Sequence, residues 1–176
     1  MDLRYKVNIA TSAFIALGSN LGDSRWILDH AIRRLEALSD HPLRCSSFWQ
    51  TSPVDCPPDS PPFLNAVVEL VPRAGETPES LLAKLQALER ESGRRITAVR
   101  NAPRSLDLDL IAFGAEKRAT PELALPHPRA HQRRFVLEPL AEIAPDLVLP
   151  GQSRTVASRL AALDAPYHGR LLSISR

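Results

Sequence analysis

Apolar segments of this 176-residue chain run in the order strand, helix, strand, strand, helix, strand. That order predicts an α+β fold, the ferredoxin-like split arrangement βαββαβ, here with additional C-terminal helices. Three observations carry the prediction. Short apolar runs alternate with stretches of helical period, cap and turn residues stand where the period changes, and one strand pattern, "LDLDL" (Leu106 to Leu110), holds two carboxylates at strand spacing.

Each element has its own reason. "AFIAL" (Ala13 to Leu17) is a continuous apolar run that reads as a buried strand, and "GSNLGD" after it is a turn whose Asp23 can cap a helix. The helix spans about Ser24 to Leu38, with Ile27, Ala31, Leu35 and Leu38 on one face. "CSSFWQT" (Cys45 to Thr51) reads as a second strand. "PVDCPPDSPP" has five prolines in ten residues, too stiff and too poor in amide donors for regular structure, so it faces solvent unless it covers something. "FLNAVVELV" (Phe63 to Val71) is a third strand. Thr77 and Pro78 form a cap and first turn, and Leu81, Leu82, Leu85 and Leu88 continue a second helix that Gly93 ends. An arginine-rich loop and the LDLD strand follow. From about Pro121 come "LPHPR", a helix around "FVLEPLAEIA" and a final apolar helix, "VASRLAALD". There is no internal repeat and no low-complexity linker, so Met1 to Ser12 is read as a tail and residues 13–176 as a single domain.

Composition narrows the function classes. Hydrophobic residues make up 44% and charged residues 24%, a globular balance, and a formal net charge of +2 offers nucleic acid no general attraction. Charge is local instead: Gly93 to Arg104 carries Arg94, Arg95, Arg100 and Arg104 without an acid, and His127 to Arg134 carries Arg129, Arg133 and Arg134 without one. Both segments suit an anion. Cys45 and Cys56 are too distant for a CxxC pair, which predicts reduced, incidental thiols. No run approaches the ~18 apolar residues of a membrane span, and no cleavage site follows the N-terminal apolar stretch. A cytoplasmic location is the expectation.

The aspartates are the sharpest local signal. Side chains at i and i+2 of a strand share a face, so Asp107 and Asp109 point one way while Leu106, Leu108 and Leu110 point the other. Two adjacent anions raise each other's pKa unless a cation sits between them. Mg²⁺ suits such a pair, since it is typically held by one or two carboxylates and completed by phosphate oxygens and water.

The segments "ALGSNLGD", "SSFWQTSPV", "FLNAVVEL", "PRSLDLDLIAFG" and "LPHPRAHQRRFVLEPLAEIAP" stand in an order and spacing that resembles the 6-hydroxymethyl-7,8-dihydropterin pyrophosphokinase family of folate biosynthesis, over about Ala13 to Pro150. The resemblance implies a ferredoxin fold with added helices and a reaction in which the terminal pyrophosphate of ATP passes to the hydroxymethyl oxygen of the pterin, releasing AMP. Attack then falls on the β-phosphorus. Position by position, it implies that Asp107 and Asp109 hold two Mg²⁺ ions on the triphosphate, with Arg94 and Arg104 beside them in catalysis. It implies that Thr51, Val54, Phe63, Asn65 and Phe135 bind the pterin, the two phenylalanines stacking on its faces and Asn65 bonding its edge. It implies that Gln86, Glu89, Arg94, Arg104, Leu110, His127 and Arg133 bind ATP. ATP and the pterin are then the partners, with no nucleic acid and no membrane, and a monomer is expected.

The implied roles suit the chemistry, because phosphoryl-type transfer depends on positioning and charge neutralisation rather than on covalent help. Outside these motifs, Phe63 and Phe135 would read as core and His127 as a turn residue. Arg95, Arg129 and Arg134 read as surface charges, Asn20 as support for its turn, and Trp26 and Trp49 as packing residues. The chain also departs from the family pattern: Ile96 stands where a second arginine is common, Asn101 and Ala102 stand for Trp-Gly, and Pro128 stands for an aromatic. A rival reading is a non-catalytic nucleotide- or pterin-binding module, since fold alone does not fix function. AMP release in the presence of the pterin alcohol separates the two.

Overall fold

An antiparallel sheet forms the centre of the computed structural model, which describes residues 12–53, 56–93, 102–163 and 170–172. In chain order the elements are β1 (Ala13–Ser19), α1 (Ser24–Glu36), β2 (Arg44–Cys45), β3 (Phe48–Thr51), β4 (Phe63–Leu70), α2 (Pro78–Glu91) and β5 (Asp107–Phe113). After these come the small hairpin β6 (Arg118–Ala119) and β7 (Ala124–Leu125), a 3-10 turn (Ala130–Gln132), α3 (Arg134–Ile143), α4 (Val156–Ala161) and β8 (Arg170–Leu172). Strands lie in the order β5-β1-β4-β3-β8, with β2 also on β4. Without the additions, β5-β1-β4-β3 is the ferredoxin-like order: β4 separates β1 from β3, the two strands that α1 connects.

Local chemistry sets the helix ends. Asp23 Oδ1 accepts the Trp26 amide at 3.0 Å, and Thr77 and Ser80 exchange side-chain-to-backbone bonds in a capping box with Pro78 in the first turn. Gly93, at φ 83°, ends α2 as expected. The first helix stops at Glu36, short of Leu38, because Leu38 and Ser39 bond to Leu35 and Glu36 three residues back and tighten the last turn.

The expected second strand is broken in two. Cys45 faces Val68 and Trp49 faces Asn65, a register offset of one residue. Between them the Ser46 hydroxyl accepts the Val67 amide at 2.9 Å and stands in for the ladder. The short strands β6, β7 and β8 were not anticipated. Ser12 also corrects the expected tail: it is buried, its hydroxyl donates to Glu69 Oε1 at 2.7 Å, and its carbonyl accepts the Gly114 amide. Residues 1–11 lie outside the described residues.

Alternation sorts the side chains into two cores. Ala13, Ile15 and Leu17 of β1, Leu64, Ala66, Val68 and Leu70 of β4, and Leu108 and Leu110 of β5 pack against Leu28 and Leu35 of α1 and Leu81 and Leu85 of α2. On the other face Phe14, Val67, Ile111 and Ala112 pack against Val136, Leu137 and Leu140 of α3 and Val156 of α4. A bulge makes this possible, since Phe14 pairs with Ala112 and Ile15 with Leu110, which skips Ile111 and turns Ala112 to the α3 side. Glu69, buried on that face, accepts Arg44 Nη1 at 2.8 Å, while Arg44 Nη2 reaches the Ile143 carbonyl at the end of α3. The helices α3 and α4 cover only part of this face. The part beyond them carries Gly18, Phe63, Asn65, Asp107 and Asp109, and stays open.

Trp26 is not a packing residue: it is 63% exposed and stacks on His30 with ring centroids 5.1 Å apart. Trp49 is half-buried and donates its Nε1 to Glu142. No described helix is long and apolar enough to cross a membrane.

Candidate active site

Strand register assembles the site. Gly18 faces Asn65 on β4 and Asp107 on β5, and Ala16, one row further along the same face, faces Asp109, so two neighbouring rows bring an amide and two carboxylates to the same open face. Gly18 keeps the floor low. A Cβ there would lie 3.2 Å from Asn65 Oδ1 and within 4 Å of the Phe63 ring and the Asp107 Cβ. Over this floor lies a cleft of about 410 Å³, lined by Thr51, Phe63 and Asn65 at one end, Arg104, Asp107 and Asp109 at the other, and His127, Arg129, Arg133 and Phe135 opposite.

The two ends differ in chemistry. At the first, Asn65 donates Nδ2 to Thr51 Oγ1 at 2.7 Å, a buried bond that aims the Asn65 carbonyl oxygen over Gly18. Phe63 and Phe135 are half-buried, and the Arg133 guanidinium carbon lies 5.5 Å from the Phe135 ring centre. Flat rings and an oriented amide suit a planar heterocycle with a hydrogen-bonding edge.

At the second end each carboxylate has a cation. Arg104 Nη1 lies 3.0 Å from Asp107 Oδ2, Arg133 Nη1 lies 3.4 Å from Asp109 Oδ2, and His127 Nε2 lies 4.0 Å from that same oxygen. Burial raises the pKa of Asp109 and the charge of Asp107 raises it further, against the opposing pull of His127, Arg133 and Arg104. Burial lowers the pKa of His127; Asp109 opposes this, and the neighbouring Arg133 and Arg129 reinforce it. His127 Nδ1 accepts the Arg129 amide at 3.2 Å, which leaves its Nε2 to carry the proton toward the cleft. Among the described residues no three His, Cys, Asp or Glu side chains form a ready metal cage. An all-oxygen pair open to the cleft fits a hard divalent ion that takes its remaining ligands from phosphate and water.

The site residues expected from the sequence divide into three groups. Thr51, Phe63, Asn65, Arg104, Asp107, Asp109, His127, Arg133 and Phe135 all line the cleft. Gln86, Glu89 and Leu110 do not. Gln86 is exposed on α2, Leu110 is buried in the core between the sheet and α1–α2, and Glu89 is buried with its Oε1 accepting the Leu108 amide at 2.8 Å. Glu89 thus holds the outer edge of β5 and so supports the aspartates from behind. Arg94 and Val54 lie outside the described residues, as do Ile96, Asn101 and the segment 94–101.

Other cleft residues escaped the sequence reading. Arg129, whose sequence context reads as a surface charge, lines the cleft together with Gly18, Gln132 and Cys56. A glycine inside a strand pattern was the available signal for Gly18, and the position two residues beyond His127 was that for Arg129.

Comparisons with known proteins supply the family. The family model described as 7,8-dihydro-6-hydroxymethylpterin-pyrophosphokinase matches residues 14–145. The chain is 41% identical over 140 residues to the 2-amino-4-hydroxy-6-hydroxymethyldihydropteridine pyrophosphokinase of Haemophilus influenzae, covering 79% of this chain and 85% of that protein. It is 40% identical over 156 residues to the enzyme of the same name from Pseudomonas aeruginosa, covering 89% and 93%. Among solved structures, an HPPK-DHPS chain in complex with substrates shares the fold at a TM-score of 0.68 and 13% identity, covering 86% of this chain and 43% of that longer one. An amide and two carboxylates on an open sheet face, the order β5-β1-β4-β3 beneath them, and this match across most of the length together place the chain in the 7,8-dihydro-6-hydroxymethylpterin pyrophosphokinase family.

Proposed function

We propose that the cleft holds the pterin alcohol at its aromatic end and ATP at its carboxylate end, and passes pyrophosphate between them. The chain is an enzyme of the pyrophosphokinase class, transferring pyrophosphate from ATP to hydroxymethyldihydropterin in folate biosynthesis. The single observation that carries the assignment of roles is the apposition of Phe63, Thr51, Asn65 and Phe135 to Arg104, Asp107, Asp109, His127 and Arg133 within one cleft.

In this reading the pterin ring lies between Phe63 and Phe135, with its edge on Asn65, one of whose two amide N–H groups is engaged by Thr51. Asp107 and Asp109 would hold two Mg²⁺ ions, whose contribution is to neutralise and polarise the triphosphate. Arg104, Arg133 and His127 now screen those carboxylates; with ATP bound they have phosphate oxygens to turn to, and the arginines keep their charge at any working pH. The hydroxymethyl oxygen attacks the β-phosphorus and releases its proton to solvent water. The bond from that phosphorus to the α-side bridging oxygen breaks, and AMP leaves with its electron pair. The protein's part is alignment and charge compensation. Glu89 supports the strand rather than touching ATP. A monomeric, cytoplasmic enzyme with Ser12 and residues 13–176 in one catalytic domain belongs to the same reading, and Cys45 and Cys56 are not joined in a disulfide.

The test is nucleotide analysis of ATP incubated with the chain and Mg²⁺, with and without 6-hydroxymethyl-7,8-dihydropterin. AMP and pterin diphosphate formed only with both substrates, and abolished by a chelator, is the expected result. AMP without the pterin would mean a hydrolase, ADP a simple kinase, and no nucleotide product a binding module.

A further inference from the structure

We propose that Asn20 is a positioning residue that sets the spacing between the aromatic and carboxylate ends of the cleft; the inference rests on the pyrophosphokinase reading above. Asn20 is 4% exposed and does not line the cleft, yet it joins three segments distant in sequence. Its amide donates to the Arg104 carbonyl at 3.1 Å, and its Oδ1 accepts the Arg104 amide at 2.9 Å, a closed pair of bonds that imitates a strand ladder. Its Nδ2 donates to the Pro61 carbonyl at 3.2 Å.

What those two partners carry gives the bonds their meaning. Arg104 holds Asp107 with its guanidinium and leads the chain into β5, while Pro61 lies two residues before Phe63 and leads the chain into β4. Neither Arg104 nor Pro61 belongs to a strand, so the sheet ladder does not orient them. A short amide anchored at the end of β1 is therefore the link between the segment that delivers the carboxylates and the segment that delivers the ring. Each end keeps its own ligating side chains if Asn20 is removed. What is lost is their mutual register, on which a transfer between two separately held substrates depends, and a displacement of about 1 Å can cost about 100-fold in rate.

The experiment compares Asn20→Ala and Asn20→Asp in the full chain, with Ser39→Ala as a control that removes a part-buried hydroxyl accepting the Val71 amide, outside the cleft. Three quantities are read: hydrogen exchange of the Arg104 amide, affinities for a non-hydrolysable Mg-ATP analogue and for the pterin measured separately, and turnover at saturating substrates. Asn20→Ala is expected to unprotect the Arg104 amide and to lower kcat about 100-fold, while each separate affinity stays within about threefold. Asn20→Asp keeps an acceptor for that amide but loses the donor to Pro61; it should restore the protection and part of kcat. Ser39→Ala should lower Tm and leave kcat unchanged. The proposal is overturned by a kcat for Asn20→Ala near that of the unaltered chain, by losses in affinity that match the loss in kcat, or by unchanged Arg104 protection. A failure of the pyrophosphokinase reading looks different: the unaltered chain itself would release no AMP with the pterin.

Discussion

Replacing Gly18 by alanine should separate stability from function at a single atom. Gly18 sits in β1 without a left-handed φ, so alanine fits its backbone, and removing glycine from a strand typically stabilises by roughly 0.5–1 kcal/mol. Against this, the new Cβ lies 3.2 Å from Asn65 Oδ1, so the amide must retreat by a few tenths of an ångström. That movement works against the Asn65–Thr51 hydrogen bond, whose net worth is about 1 kcal/mol. The two effects nearly cancel, and folding stability should change by less than about 1 kcal/mol. Pterin binding has no such compensation. A methyl group added to the floor beside the Phe63 ring and the Asn65 carbonyl is one carbon too many in a fitted pocket, a loss of about 1–3 kcal/mol, or roughly 5- to 150-fold in affinity. Asp107 Cβ, at 3.9 Å, is in ordinary contact with the new atom, so affinity for a Mg-ATP analogue should hold within about threefold. Thermal unfolding and calorimetry with each ligand separately give the three numbers. Unchanged pterin affinity in a folded Gly18→Ala protein would refute the placement of the ring over this floor, and equal loss of both ligands would show general damage.

Asp107→Ala and Asp109→Ala should each reduce turnover by orders of magnitude with the fold intact, and near-normal steady-state rates in either would sink the metal assignment. Asp109→Asn adds a pH test: a carboxyl whose folded pKa is raised contributes its stability at low pH and loses it as pH rises through the folded value, so the ligand-free variant should be more stable than the original at neutral pH, with the gap closing below the ordinary value of 3.8. Denaturant midpoints at several pH values check the sign. Phe63→Ala and Asn65→Ala should weaken pterin binding far more than ATP binding, read by titration with each ligand alone. Glu89→Leu orphans the Leu108 amide and should cost about 1–3 kcal/mol of stability, whereas Glu89→Gln, which keeps an acceptor, should cost much less. Arg94→Ala should lower kcat much more than ATP affinity, as single-turnover and equilibrium measurements would show.

Sequence alone determined whatever depends on neighbours within one turn or one pleat. The caps at Asp23 and Thr77, the stop at Gly93 and the shared face of Asp107 and Asp109 are all set by contacts over a few residues, and each stands as the pattern implied. Gln86 and Glu89 show where that reach ends. Their spacing of three does put them near one another on α2, but how the helix rolls onto the sheet leaves one in solvent and buries the other behind β5. The break between β2 and β3, the entry of Arg129 into the cleft, the low floor at Gly18 and the Asn20 bridge are likewise tertiary decisions. Asn20 meets Arg104 across 84 residues and Pro61 across 41, and no local period encodes such a meeting. It arises when β4 and β5 pair on either side of β1, because register then fixes which side chains stand in one row, and a row across three strands belongs to the sheet rather than to any stretch of chain.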